Sequence, residues 1–425
     1  MDLEERIKRV VPEDSFLGHY FKLGDLTEAP FAYDFWCGLW CLSNAVMRTT
    51  VVDRPNAPVH LNLYIVLAAD SGVTRKTTSV SRATDVVREA FIKQKQNILF
   101  VQSRASKEKI ERDLAVHSKK FGYAHTAFAV PEFVSLVGKD MHTMGLPALL
   151  TDLYDVSALR ESVGTISRGE VILKHIYSTL LAASTPTWLV RAISPQIIEG
   201  GFTSRCFFVF EEQRKKAIAW QTEDGTLLYK MCVKLLSAII EVYKTEHCED
   251  YRRIRIDAYA LESFKSWYTE RNTSIDPFLA SFDAREDAHV LKVAALLAIN
   301  AGTNTIQEEH LKVALLVIEQ VKKKSATLLS YQSSGELVNQ IEKLRSILIT
   351  KQDTGITHSE LMRQMAHACR AKRLNSLLNI MHELGMVKRF IVQNRRASTV
   401  WVAHTPLFLP NFFELILEQM EAIEG

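Results

Sequence analysis

The spacing of the apolar residues changes between Val59 and Phe91, and this change constrains the fold more than any other feature. Across "VHLNLYIVLAA", Val59, Leu61, Leu63, Ile65 and Leu67 fall at every second position, the period of a strand. Beyond "DSGVTRKTT", the residues Ala83, Val86, Val87, Ala90 and Phe91 fall at i, i+3, i+4, i+7 and i+8, the period of an amphipathic helix. The same alternation continues downstream. "NILFVQS" reads as a strand before the helix "KEKIERDLAVHSKK", and "TAFAV", "IYSTLLAAS" and "CFFVF" read as three further strands. Strands alternating with helices predict an α/β fold with a parallel sheet.

The loop at the change of period carries the chemistry. Ser71, Gly72, Val73, Thr74, Arg75, Lys76, Thr77 and Thr78 lie where a strand gives way to a helix N-terminus. Unpaired backbone N–H groups and the positive end of the helix dipole suit a phosphate there. In the phosphate-loop pattern G-x-x-x-x-G-K-[ST] a glycine stands six residues before the lysine. Here Asp70 takes that place, and Gly72 stands four residues before Lys76. Lys76 is expected to reach the outer phosphates of ATP, and Thr77 or Thr78 to hold Mg²⁺. An ordinary strand, loop and helix with a surface lysine is the other reading of the same residues.

Six further residues are candidates for the site. Glu132 follows the run "TAFAV" and Pro131, so it is a candidate general base for an attacking water; a first-turn helix glutamate is the alternative. Asp152 and Asp155 in "TDLYD" are weaker acidic candidates, better placed on the next helix. Ser184 and Thr185 end a strand, where a small hydroxyl could sense the terminal phosphate. Arg205, directly before "CFFVF", sits where ring-forming ATPases present an arginine to a neighbouring subunit; pairing with a nearby carboxylate is the alternative.

With "SGVTRKTTS", "AFAVPEFVSLVG", "LLTDLYD", "GGFTSRCFFVF" and "REDAHVLKVAALLAI" in this order, the chain resembles the AAA+ ATPases. It is most similar to the primase-helicase-type P-loop proteins of phages, plasmids and other mobile elements. The likeness spans roughly Pro30 to Gln320 and includes the pair Arg75–Lys76, with Ala69 in place of the loop's first glycine. It implies an ATP-driven, ring-forming helicase or translocase working with other replication proteins of the same element. An ATP-dependent regulator or loader that does not unwind DNA is the second expectation. The resemblance also implies a helical lid after Trp220. In it, Arg285 and Lys292, two turns apart, resemble the second sensor region of the minichromosome maintenance helicases, with Arg285 the first choice for the γ-phosphate. About fifty residues precede the first strand, so no primase segment is expected ahead of the core.

The last quarter follows its own pattern. "ITHSELMRQMAHACRAKRLNSLLNIMHELG" reads as two helices stopped by Gly385, followed by two short strands joined by "QNRRAS". This looks like a winged helix. Leu374, Leu377, Leu378 and Met381 form its buried stripe, which leaves Lys372, Arg373, Asn375, Ser376 and Asn379 exposed. With Lys388, Arg389, Arg395 and Arg396 they would suit a DNA backbone. The charge supports this locally: Lys351 to Thr405 holds nine Lys/Arg against three Asp/Glu, although the whole chain is only +3. The expected order is a helical segment over 1–50, a P-loop core over 51–220, a lid over 221–335, a winged helix over 336–405 and an acidic helix over 406–425.

The remaining composition sets the surroundings. The 425 residues are 47% hydrophobic, enough for two or three cores. The six cysteines, with Cys37 and Cys41 four apart, complete no zinc spacing and read as buried thiols of a reducing, cytoplasmic setting. No apolar run approaches 18 residues, so no membrane contact is expected.

Overall fold

The computed structural model describes residues 2–403 except 56, 104, 134–135, 137–144, 157–158, 163–170, 194–196, 199, 221–223, 246–249, 275, 352–354, 366–370 and 394–396. The chain divides into two compact units, Met1–Leu329 and Ser330–Gly425. The first opens with α1 (Leu3–Val10), α2 (Phe16–Asp25), α3 (Phe31–Val46), β1 (Thr50–Val52), β2 (Val59–His60), β3 (Tyr64–Ala68) and α4 (Lys76–Lys93). β4 (Leu99–Val101), α5 (Lys107–Phe121), β5 (Ala124–Val130), α6 (Leu146–Tyr154), β6 (Leu159–Ser162), β7 (Val171–Lys174), β8 (Ile176–Ser184), α7 (Pro186–Ala192) and β9 (Cys206–Phe210) follow. Next come α8 (Thr226–Tyr243), β10 (Arg252–Ile256), α9 (Ala258–Glu270), α10 (Pro277–Asp283), α11 (Glu286–Asn300), β11 (Thr305–Ile306) and the start of α12 (Glu308–Thr350).

The central sheet has the order β4-β5-β8-β3-β9, and every pairing in it is parallel. All residues of β3, β5, β8 and β9 are buried, as a parallel sheet covered on both faces requires. Ile65, Leu67, Ala127, Ala129, Leu181, Ala183, Phe207 and Val209 share one core with α3 and α4. On the other face the Tyr64 hydroxyl donates to the Leu150 carbonyl of α6 at 2.9 Å. The α/β class with a parallel sheet is therefore the observed one. α3 explains its continuous apolar sequence: every residue from Tyr33 to Val46 in it is buried, because α2, α4 and α8 all pack around it.

Two expectations change. The alternating run from Val59 to Leu67 is two strands, not one. β2 pairs antiparallel with β1 in a smaller sheet of order β11-β10-β1-β2, whereas β3 enters the central sheet. The break falls at Asn62, whose side-chain amide donates to the carbonyls of Tyr154 and Ser178 at 2.9 and 3.2 Å. Leu61 and Leu63 stay buried because both sheets face the same core, so the alternation runs on through the break. The second change concerns α11, where Val290, Val293, Ala294, Leu297 and Ala298 fall on one face and so predict a lid helix that buries that face alone. It is buried all round, with Glu286 and every residue from His289 to Asn300 inside. α8, also assigned to the lid, packs on α2, α3 and α4 within the same unit as the sheet.

The second unit holds the rest of α12, then β12 (Ile356–Thr357), α13 (His358–Met365), α14 (Ala371–Glu383), β13 (Val387–Gln393) and β14 (Ala397–Ala403). Its three strands form an antiparallel sheet of order β12-β14-β13. Leu374, Leu377, Leu378 and Met381 lie in its core with Ile341, Leu344, Leu361 and Trp401, as their helical spacing predicts. Gly385, at φ 67°, ends α14, and the Met386 N–H returns to the Met381 carbonyl at 2.8 Å. Lys372, Arg373, Asn375, Ser376, Asn379, Lys388 and Arg389 are exposed; Arg395, Arg396 and the segment 406–425 lie outside the described residues.

Candidate functional site

Because β3, β5 and β8 are adjacent and parallel, their carboxyl ends meet at one edge of the sheet, where crevices of α/β folds form. β3 ends at Ala68, and the loop returns to open α4 at Lys76. The Ala69 N–H donates to the Ser184 carbonyl at 3.3 Å, which holds the loop beside the end of β8. A cleft of about 370 Å³ lies here, lined by Ser71, Gly72, Arg75, Lys76, Thr77, Thr78, Pro131, Glu132, Ala183, Ser184, Thr185 and Trp188. Residues drawn from three separate strand ends, expected from sequence to share one site, do share it.

The loop is shaped by two residues with positive φ, Gly72 at 77° and Arg75 at 56°. For Gly72 this conformation is free of steric cost. Lys76 lies at the first position of α4, with its Nζ donating to the Asp70 carbonyl at 3.1 Å. Burial draws the Lys76 ammonium below its usual pKa, and the charges of Asp70 and Glu132 oppose that shift. Both carboxylates thus act electrostatically on Lys76, the one lysine among the described residues that line the cleft. Thr77 and Thr78 are exposed in the first turn of α4, and Thr185 caps α7. Val73 and Thr74 belong to the loop but do not line the cleft. Val73 is 36% exposed, and the buried Thr74 hydroxyl donates to the Tyr33 hydroxyl at 3.3 Å.

Three predicted site residues are elsewhere. Arg205 directly precedes β9, and Asn62 lies shortly before β3, so both sit at the amino edge of the sheet. A five-residue strand separates that edge from the cleft by about 16 Å. Arg205 is 7% exposed; its Nη2 donates to Asp155 Oδ2 at 2.5 Å and its Nη1 to the Gly201 carbonyl at 2.7 Å. Of the two readings of this arginine, the pairing with a carboxylate of its own chain is the one observed. Arg285 joins the same carboxylate at 3.6 Å. Lys292 is fully inside the fold, where its Nζ donates to Asn62 O, Asn62 Oδ1 and the Tyr154 hydroxyl at 2.8, 2.9 and 2.6 Å. Lys292 therefore reaches no phosphate in the cleft: it fastens α11 to the start of β3. Asp152 and Asp155 also lie outside the cleft lining, Asp155 beside Arg205.

Sequence reasoning missed Trp188, whose ring meets Phe133 edge-on at 6.4 Å and walls one side of the cleft. It also missed Glu28, which binds Arg75 Nε at 2.6 Å from a position 47 residues upstream. No local pattern marks either residue. The free cysteines Cys37, Cys41, Cys206 and Cys232 are buried, and burial pushes each thiol up, Cys232 to about 12. Among the described residues no group of three or more His, Cys, Asp or Glu could hold a metal ion, and no helix is long and apolar enough to cross a membrane. A Mg²⁺ carried by a nucleotide needs less, because phosphates and water fill most of its shell. The Thr77 hydroxyl and the Glu132 carboxylate at the cleft wall fit that smaller demand.

Comparison with protein-family models finds no match, and comparison with curated proteins finds none either.

Proposed function

We propose that this chain binds ATP with Mg²⁺ in the cleft and hydrolyses it in the service of DNA. One observation carries the reading: Lys76 at a helix N-terminus, Glu132 and Thr185 arrive at a single cleft from the ends of three adjacent parallel strands. The amino end of α4 and the Lys76 ammonium hold the outer phosphates. Thr77 would hold the metal through its hydroxyl, and the metal would supply positive charge to the phosphates. Glu132 orients a water and takes its proton as the oxygen attacks the γ-phosphorus and the bond from that phosphorus to the β,γ-bridging oxygen breaks, with ADP leaving. Ser184 and Thr185 bond the terminal phosphate. This is the division of labour in the AAA+ ATPases that the sequence resembles.

The link to DNA rests on the second unit. A helix, a short strand, two helices and an antiparallel hairpin follow one another there, the order of parts in a winged helix. Lys372, Arg373, Lys388 and Arg389 are exposed on it, and such cations contact phosphates without reading sequence. A helicase or translocase of a phage or other mobile element, assembled as a ring, is the fullest form of this reading. A second form, an ATP-dependent regulator or loader, gains from one observation: Arg205 is held by Asp155 and Gly201 of its own chain rather than offered to a neighbour. Replacing Glu132 by Gln distinguishes catalysis from mere binding. It should keep ATP affinity and lower single-turnover hydrolysis about 10²- to 10⁴-fold. Unchanged hydrolysis would remove Glu132 from the mechanism.

A further inference from the structure

Glu28 lies in the turn between α2 and α3 and is 7% exposed. Its carboxylate accepts from Arg75 Nε at 2.6 Å, Ile218 N at 2.9 Å and Arg214 Nη1 at 3.1 Å. Its backbone carbonyl accepts from Lys215 N at 3.1 Å. The hydrogen bond from Ile218, followed by that from Arg75, holds this carboxyl below the usual carboxylate range. One anion is thus shared between the last residue of the cleft loop and the segment 211–220 that leaves β9. Glu28 and Arg75 also line a second hollow of about 260 Å³, which shares Arg75 and Thr78 with the cleft.

Arg75 needs such a tie. Its φ of 56° and ψ of 28° are left-handed, a conformation that the clash of a Cβ with the following carbonyl disfavours. Backbone of this kind persists only where the surroundings over-determine it. Arg75 is the N-cap of α4 and makes no capping bond with its own side chain, so its guanidinium is free to be held by Glu28. Its backbone torsions set the direction in which Lys76 and the first N–H groups of α4 face the cleft. The other end of the link is open to the surroundings: Arg214 is half-exposed, and Trp220 at the end of the segment is 84% exposed.

We infer that Glu28 is a positioning residue that couples the segment 211–220 to the phosphate loop through Arg75. Displacing that segment loosens the loop and weakens anion binding; an anion bound in the cleft alters the segment in return, since coupling between two sites is reciprocal. The inference rests on the reading of the cleft as a phosphate site.

Hydrogen exchange of the full chain, followed in peptides covering 70–79 and 211–220 with and without MgATP, tests it. Without nucleotide, Glu28→Gln should speed exchange in 70–79 about tenfold, and ATP affinity should fall by a similar factor. Placed in an Arg75→Gly background, the same substitution should change both by less than about twofold, because glycine adopts the left-handed conformation unaided. An equal effect in both backgrounds would mean that Glu28 merely stabilises the fold, and would overturn the inference. Arg214→Ala attacks the link from its exposed end if Glu28→Gln folds poorly; it too should loosen 70–79, and unchanged exchange would count against the coupling. A wild-type chain that binds no ATP, yet whose loop loosens on Glu28→Gln only when Arg75 is present, would overturn the phosphate reading while upholding the Glu28 link.

Discussion

Lys292 illustrates how far a residue's neighbours decide its role. The helical spacing of Arg285 and Lys292 is as expected, but spacing along a helix says nothing of what packs against it. Asn62 and Tyr154 supply three acceptors to the buried ammonium, and burial draws its pKa well down. Lys292→Met fills a similar volume but strands those acceptors, so it should cost about 1–3 kcal/mol of stability. ATP affinity should not change; a loss of affinity in a variant still folded by circular dichroism would restore the sensor role. Titration offers a second residue-scale test. Burial lowers the pKa of His60 to about 4 and of His125 and His289 to about 3, against about 6.5 in an unfolded chain. The folded state binds fewer protons, so this stability is complete above about pH 6.5 and is lost as pH falls toward 4 and 3. Asp34, raised by burial to about 6, works the other way between about pH 6 and 4 and partly offsets the loss. Three groups outweigh one. The unfolding free energy by urea should drop by about 4–5 kcal/mol between pH 7.5 and 5, about 2 from each imidazole less about 1.4 from Asp34, whereas a flat profile would mean that these imidazoles are not buried neutral.

Elements were legible where their residues repeat a period within one environment. The strands β5, β8 and β9 are short apolar runs because both faces of the sheet are covered. The stripe of α14 was legible because its opposite face meets water. The split at Asn62 was not, since β2 and β3 bury alternate residues in one common core. α11 is legible as a helix from Val290, Val293, Ala294, Leu297 and Ala298, but its burial on every side is not, because others of its residues, such as Lys292 and Asn300, are polar types expected to face water. Of the site, the loop, Glu132 and Thr185 could be found from their places at strand ends, whereas Glu28 and Trp188 enter only through tertiary packing. The joint of α2, α3 and α4 is equally invisible in sequence. Asp34 of α3, 0% exposed, pairs with Arg82 of α4, and a Cβ on Gly24 of α2 would fall inside that carboxylate. Gly24→Ala gains about 1 kcal/mol of helix propensity but must displace a short, buried, paired side chain. The melting temperature should therefore fall; a rise would show that the three helices can part without cost.

At the scale of the molecule, the chain has two compact units, each with its own core, and the cleft belongs to the first. The DNA half of the account can be tested through its salt dependence. If Lys388 and Arg389 each neutralise a phosphate, Lys388→Gln with Arg389→Gln should lower the slope of log affinity against log salt by about 2 for duplex DNA. The same slope with weaker binding would point to misfolding instead. The proposed function requires the cleft at the ends of β3, β5 and β8 to turn over ATP under the control of DNA. Steady-state ATP hydrolysis by the full chain, with and without single-stranded DNA and beside Lys76→Ala, tests it most directly. Hydrolysis should rise with DNA and disappear in the variant. Hydrolysis equal in both proteins, or absent from both, would contradict it.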